Sequence, residues 1–402
     1  MDTYTPHNTR QDYLDAVRAF ALLLGIVFHA CLSFLPVYIG WAVMDISTST
    51  VVGVFALVSH SFRMALFFLL AGFFSHMSYH RKGGAVFLKS RLLRIALPFV
   101  LGWILLRPLL VFAWVMGAQS MRGDVSLWPA LQEGASSMLA ASQTLLTGTH
   151  LWFLYYLLLV TLSVLCVRAL TVRFQPAYRL LSKSLDAALA WLCHSSLVVL
   201  ALAVPTAGCM WLMGQWGLDT PDKSLVPHWP VYCIYGGCFT LGWLMHRQSD
   251  LIPAFSRLSW QKLLVALTAI VVTILTSPYE RQPGHPHIVY IALAFKFSYS
   301  VMMWSLIALM IGLFRHYLDR PNKVIRYLAD ASYWLYLIHL PIVIWLQIAF
   351  AEVSWHWGIK WALVFGIAIG LSLVLYDLCV RSTFIGATLN GQRKNRSLFA
   401  VG

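Results

Sequence analysis

Residues 14–30 read LDAVRAFALLLGIVFHA, an apolar run interrupted by Asp15, Arg18 and His29. The run suits a membrane helix, yet hydrocarbon penalises the polar groups at its ends. On an α-helix the eleven-residue step from Arg18 to His29 turns about 1100°, roughly 20° past three full turns. The two side chains therefore share a face, separated by roughly 16 Å along the axis. Asp15, three residues before Arg18, is placed to pair with it.

The rest of the chain repeats the pattern. Of 402 residues, 59% are hydrophobic and 11% charged, where a soluble domain has about 25% charged. Apolar stretches long enough to span a bilayer recur near 14–36, 52–78, 92–117, 146–167, 187–213, 232–247, 260–277, 288–314, 327–350 and 359–381. The reading is an all-α, polytopic integral membrane protein with about ten transmembrane helices and no separate soluble domain in residues 1–402. The sixth span is short and needs support from its neighbours. The first is long and carries buried charges, a poor signal peptide, and is expected to be retained.

A net charge of +14 raises the question of nucleic acid. The basic residues answer it by location. Arg81, Lys82, Lys89, Arg91 and Arg94 follow span two, and Arg168, Arg173, Arg179 and Lys183 follow span four. Arg247, Arg257 and Lys262, then Arg315, Arg320, Lys323 and Arg326, then the tail arginines and Lys394 continue the alternation. The other connections hold only Arg122, Lys223, Arg281 and Lys360. Basic loops mark the cytoplasmic side, so both termini are expected there and no nucleic-acid partner is expected. The outer connections 118–145, with Asp124 and Glu133, and 214–231 suit ordered loops or interfacial helices. The seven cysteines (31, 166, 193, 209, 233, 238 and 379) form no CxxC pair and suit buried small hydrophobes.

Charged groups inside a span are costly and face a cavity or a partner. Arg18 near the cytoplasmic end is either a snorkelling arginine or a ligand group; His29 in the outer half is a bundle histidine or a base. Arg63, in SHSFRMALFFLLAGFF (59–74), lies as deep as His29. Its insertion costs at least about 2.5 kcal/mol, so it needs an anion. Asp377 is too far toward the cytoplasm and no other carboxylate is obvious at that depth, which favours an anionic ligand over a structural ion pair. In RKGGAVFLKSRLLR (81–94), Arg91 and Arg94 at i and i+3 share a helix face and suit phosphate, with positive-inside anchoring the plainer alternative. THLWFLYYL holds His150 and Trp152, and ASYWLYLIHLP holds Tyr333, Tyr336, His339 and Pro341. An aromatic belt explains most of these rings, and His339 beside Pro341 suits a kink with a satisfied histidine. Lys296 stands inside span eight. His285 and His287 are too sparse for a metal site, and no metal is expected.

Together LDAVRAFALLLGIVFHA, FRMALFFLLAGFF, the RLLR pair, HLWFL and SYWLYLIHLP resemble, in order and across nearly the whole chain, the acyltransferase 3 family of membrane-bound O-acyltransferases. HSFRMALFFLLAGFFS looks most like the members that succinylate osmoregulated periplasmic glucans. Ala71 stands where many relatives carry a serine or threonine, so no hydroxyl acts there. The resemblance implies succinyl-CoA as donor substrate, no permanently bound cofactor, and a periplasmic β-glucan as acceptor in a bacterial inner membrane. It implies His29 as general base, with Arg18, Arg91 and Arg94 holding the coenzyme. Arg63 is assigned to the succinyl carboxylate, and His150, Trp152 and His339 to the acyl group or acceptor. Sibling enzymes that acetylate lipopolysaccharide or another envelope polysaccharide, an anion transporter using Arg18, Arg63, His29 and Lys296, and a non-catalytic scaffold remain alternatives. A homodimer and contact with the glucan-synthesis machinery are left open.

Overall fold

The computed structural model describes residues 11–120, 126–139 and 149–397, except 215, 249, 281 and 283, with backbone only at 137–139, 177, 178 and 181. Among the described residues every regular element is helical. Arg122, Asp124 and Arg281 lie outside them.

Local signals set the helix ends. Helix α1 (Asp12–Cys31) leads through a short 3-10 turn into an irregular loop. The Ser49 hydroxyl accepts the Val51 N–H and starts α2 (Thr50–Lys82), which stops after His80, Arg81 and Lys82 at Gly83, φ +81°. Positive φ suits glycine, and the basic last turn complements the helix dipole. Helix α3 (Gly84–Arg91) runs through a π turn at Leu92–Ala96 into α4 (Leu97–Ser120). Then follow α5 (Leu127–Leu139), α6 (Trp152–Val172), α7 (Gln175–His194), α8 (Val198–Trp211), α9 (Trp229–Met245), α10 (Leu251–Phe255) and α11 (Trp260–Thr276). The chain closes with α12 (Ile288–Leu318), α13 (Lys323–Phe350), α14 (Trp357–Leu375) and α15 (Phe384–Asn390).

Among the described residues seven helical runs are long and apolar enough to cross a membrane: α1, α2, α3–α4, α6, α12, α13 and α14. This is a multi-pass membrane protein. The fifth expected span is not one rod. Residues Ser182–His194 and Val198–Trp211 meet at 112°, because Ser195, Ser196 and Leu197 break the helix between a polar, surface-lying α7 and an apolar α8. Spans six and seven correspond to the 17-residue helices α9 and α11.

Helices α1, α2 and α12 are central, with 61%, 67% and 72% of their most apolar windows buried, against 22% for α3–α4. The outer helix turns Leu101, Ile104, Leu105 and Leu109 away from the protein, as suits a helix that meets lipid. The short α9 is held by close approach to α2. A methyl at Gly72 would sit 1.9 Å from the Phe239 carbonyl oxygen, and one at Gly242 would sit 1.9 Å from that of Leu69. Small residues let membrane helices pack backbone to backbone.

Several of the charged helix ends meet one another. Arg168 lies 5.1 Å from the Tyr79 ring centroid, Arg326 is 3.7 Å from Asp12, and Tyr327 reaches Asp377. Lysines behave differently. Lys296 pairs with Glu280 at 2.9 Å inside the bundle. Lys360, expected in an outer connection, is wholly buried in the first turn of α14, where Asp45 and the carbonyls of Phe350 and Val353 receive its ammonium. Pairing and hydrogen bonding make a buried charge tolerable.

Candidate active site

A cavity of about 1250 Å³ runs through the bundle between α1, α2, α4 and α13. Its basic end is lined by Arg18, Arg91, Arg94 and Tyr333; its middle by His29, Arg63, His150 and His339; its far end by Trp41, Trp114, Glu133, Asp222 and Lys223. The helical phase of α1 thus brings Arg18 and His29 into one space, Arg18 at the basic end and His29 in the middle. Arg18 pairs with Asp15 at 3.3 Å and donates to the Ala329 carbonyl at 3.1 Å.

His29 Nδ1 lies 2.9 Å from His339 Nε2. His339, 3% exposed, turns its Nδ1 toward the carbonyl oxygens of Tyr336 at 2.8 Å and Leu335 at 3.0 Å. Carbonyls only accept, so the Nδ1 of His339 carries a proton. In the neutral pair His339 Nε2 is then an acceptor and His29 Nδ1 the donor. That leaves His29 Nε2 unprotonated, the form a general base needs.

His150 is set by a proline. Pro341 inside α13 has no N–H for the Leu337 carbonyl four residues earlier. His150 Nε2 supplies that donor at 3.0 Å. Its Nδ1 is therefore bare, and it is buried without a partner among the described residues. The Tyr336 hydroxyl donates to the His150 carbonyl at 2.8 Å and fixes the turn before α6.

Arg63 is 5% exposed, and its guanidinium carbon lies 4.3 Å from the Phe28 ring centroid. Its one hydrogen bond among the described residues goes to the Gly25 carbonyl at 3.4 Å, and its Nε has no partner. Gly25 and Phe28 are on the same helix as His29, so this underused cation faces the same part of the cavity.

Arg91 and Arg94 do not lie on one regular helix face, because the π turn at Leu92–Ala96 begins between them. The wider turn still lets both reach the cavity, and π turns often occur at functional sites. Arg91 donates to Ser75 Oγ at 3.0 Å and covers Phe87, while the Arg94 carbonyl accepts the Tyr333 hydroxyl. Trp152 packs on Tyr235 with the ring planes inclined at 29° and is 7% exposed, so only part of its ring borders the cavity. Lys296 is engaged with Glu280 away from this lining. His285 Nδ1 accepts the His287 N–H in an exposed turn, and among the described residues no cluster of three or more His, Cys, Asp or Glu could hold a metal ion.

Sequence reasoning missed Gln347 and Trp41. Gln347 was readable as a lone amide in an apolar span; it donates to the carbonyls of His29 at 3.0 Å and Ala30 at 3.2 Å. Trp41 sits in a loop with no periodic signal, and its place beside His29 is set by contacts more than 300 residues away in sequence.

A family profile described as an acyltransferase domain matches residues 11–377. The chain is similar to glucans biosynthesis protein C of Salmonella gallinarum, 25% identical over 98% of both chains. It is also similar to the protein of that name from Escherichia coli K12, 33% identical over 39% of this chain and 38% of the relative. No solved structure matches.

Proposed function

Since the chain belongs to the acyltransferase 3 family, we propose that it transfers a succinyl group from succinyl-CoA to a hydroxyl of a periplasmic β-glucan. The donor binds from the cytoplasm and the acceptor from the periplasm of a bacterial inner membrane. The observation that carries this reading is the single cavity, with three arginines at one end and a histidine of fixed tautomer deep inside it.

In this mechanism Arg94, Arg91 and Arg18 hold the phosphates of the coenzyme, and its flexible arm carries the thioester toward His29. Arg63 receives the free carboxylate of the succinyl group, a ligand that answers its missing anion. His29 Nε2 removes the proton from the attacking sugar hydroxyl as the new C–O bond forms at the thioester carbonyl. The C–S bond then breaks, and the imidazolium returns the proton to the departing thiolate. His339 supports the cation through its bare Nε2. The bare Nδ1 of His150 accepts a neighbouring sugar hydroxyl, and Trp152 borders that position. No resident cofactor takes part.

Purified protein in lipid nanodiscs, given succinyl-CoA and β-glucan, should release free thiol and add succinyl mass to the glucan. Thiol release with mass added instead to lipopolysaccharide, or as acetyl from acetyl-CoA, would replace this reading with a sibling acyl transfer. In sealed proteoliposomes, uptake of succinate without ester formation would replace it with transport.

A further inference from the structure

We propose that Trp41 and Trp114 form a binding platform for a neutral hexose ring of the acceptor, immediately beyond His29. This rests on the acyl-transfer reading above and assigns the acceptor a place within it.

The two indoles line the far half of the cavity, with centroids 5.4 Å apart and planes at 68°, so they make a corner rather than a stack. Trp41 is also nearly parallel to the His29 ring, at 5.8 Å and 15°. A group resting in this corner is next to the nitrogen that must receive its proton.

Trp41 is held for the purpose. Its Nε1–H donates to Gln347 Oε1 at 2.9 Å, and the amide nitrogen of Gln347 bonds the carbonyls of His29 and Ala30. One glutamine therefore locks the indole to the turn that bears His29. With its polar atom satisfied, Trp41 offers the cavity only ring surface.

The loop carrying Trp41 is fixed independently. The Asp45 N–H donates to the Ser33 carbonyl at 2.8 Å, and the Asp45 carboxylate meets Lys360, with side-chain exposures of 1% and 0%. Burial pushes the Asp45 carboxyl up from its ordinary value despite the ammonium beside it. Such a pair adds little net stability over apolar packing, but it enforces one geometry. From the other side, Gly117 allows α4 to meet the loop backbone: a methyl there would sit 2.3 Å from the Ala42 carbonyl oxygen. That approach brings Trp114 beside Trp41.

The chemistry selects the occupant. A pyranose presents a face of C–H bonds, slightly positive, to the negative face of an aromatic ring. Glu133, Asp222 and Lys223 line the same far stretch, where two carboxylates and one ammonium suit sugar hydroxyls, whereas a lipid tail would leave them unsolvated. The cationic end lies elsewhere, past His29.

The test measures binding of a linear β-glucan heptaose to the full-length protein by calorimetry, with glucan KM and kcat in parallel. Trp41→Leu and Trp114→Leu should each weaken heptaose binding and raise glucan KM by about tenfold. Trp41→Phe should recover part of the loss, because a flat ring remains. Gln347→Leu should weaken heptaose binding while CoA affinity is retained. Thermal unfolding identifies any variant that has failed to fold, and Trp41→Phe then stands in for Trp41→Leu. Unchanged heptaose affinity and glucan KM in folded Trp41 and Trp114 variants would overturn the platform while leaving acyl transfer standing. Tryptophan-dependent heptaose binding by native protein that transfers no acyl group would retain the platform and sink the transfer reading instead.

Discussion

His29 and His339 stand 310 residues apart in sequence, and their facing ring nitrogens are 2.9 Å apart. The second histidine is anchored on two carbonyls of its own helix, so it presents an acceptor to the first. Replacing His29 by alanine should abolish glucan-dependent thiol release, a loss of at least about 100-fold in kcat. Turnover within a few-fold of native would remove it as the base.

His339 should behave as a positioning residue. His339→Leu removes the acceptor for His29 Nδ1 and should lower kcat by about 100-fold, with glucan KM little changed. His339→Gln keeps a side-chain oxygen near that position and should restore part of the rate. Equal activity of the two variants, or an effect confined to KM, would contradict this role.

Arg63 sets the choice of acyl group if its free guanidinium edge meets a carboxylate. Arg63→Gln should lower kcat/KM for succinyl-CoA by about 10- to 100-fold, the value of one charge-assisted contact. The rate with acetyl-CoA should fall much less. Equal loss for both donors would exclude carboxylate recognition.

At the other end of the cavity, Arg91→Ala with Arg94→Ala should weaken coenzyme A binding by at least about tenfold. Dephospho-CoA should lose less, because it has one phosphate fewer to contact. Calorimetry at two salt concentrations would check this, and an unchanged affinity for coenzyme A would refute the grip.

Two stability predictions do not depend on function. Lys360→Ala leaves Asp45 buried without its cation and should destabilise the protein by about 3–5 kcal/mol, whereas Lys360→Met with Asp45→Leu should recover most of that. Gly72→Ala forces a methyl against the Phe239 carbonyl and should cost about 1–3 kcal/mol. Unfolding in detergent, followed by circular dichroism, measures both.

The amino-acid sequence alone determined the helical membrane class, most of the long spans and the shared face of Arg18 and His29. These follow from apolar run length and helical phase, which are local quantities. It also singled out Arg63, because a charge in hydrocarbon is conspicuous wherever its partner lies. Five things required the tertiary structure. The break between α7 and α8, the π turn between Arg91 and Arg94, and the inward placement of Lys360 depend on what each segment packs against. The identity of the unprotonated nitrogen on His29 depends on His339, whose own proton is fixed by the Leu335 and Tyr336 carbonyls. The position of Trp41 depends on Gln347 and Lys360, residues on helices that join the site only after the bundle closes. A sequence records which groups are costly to bury; folding decides which of them meet, because hydrogen bonds and ion pairs require distances that no local pattern encodes.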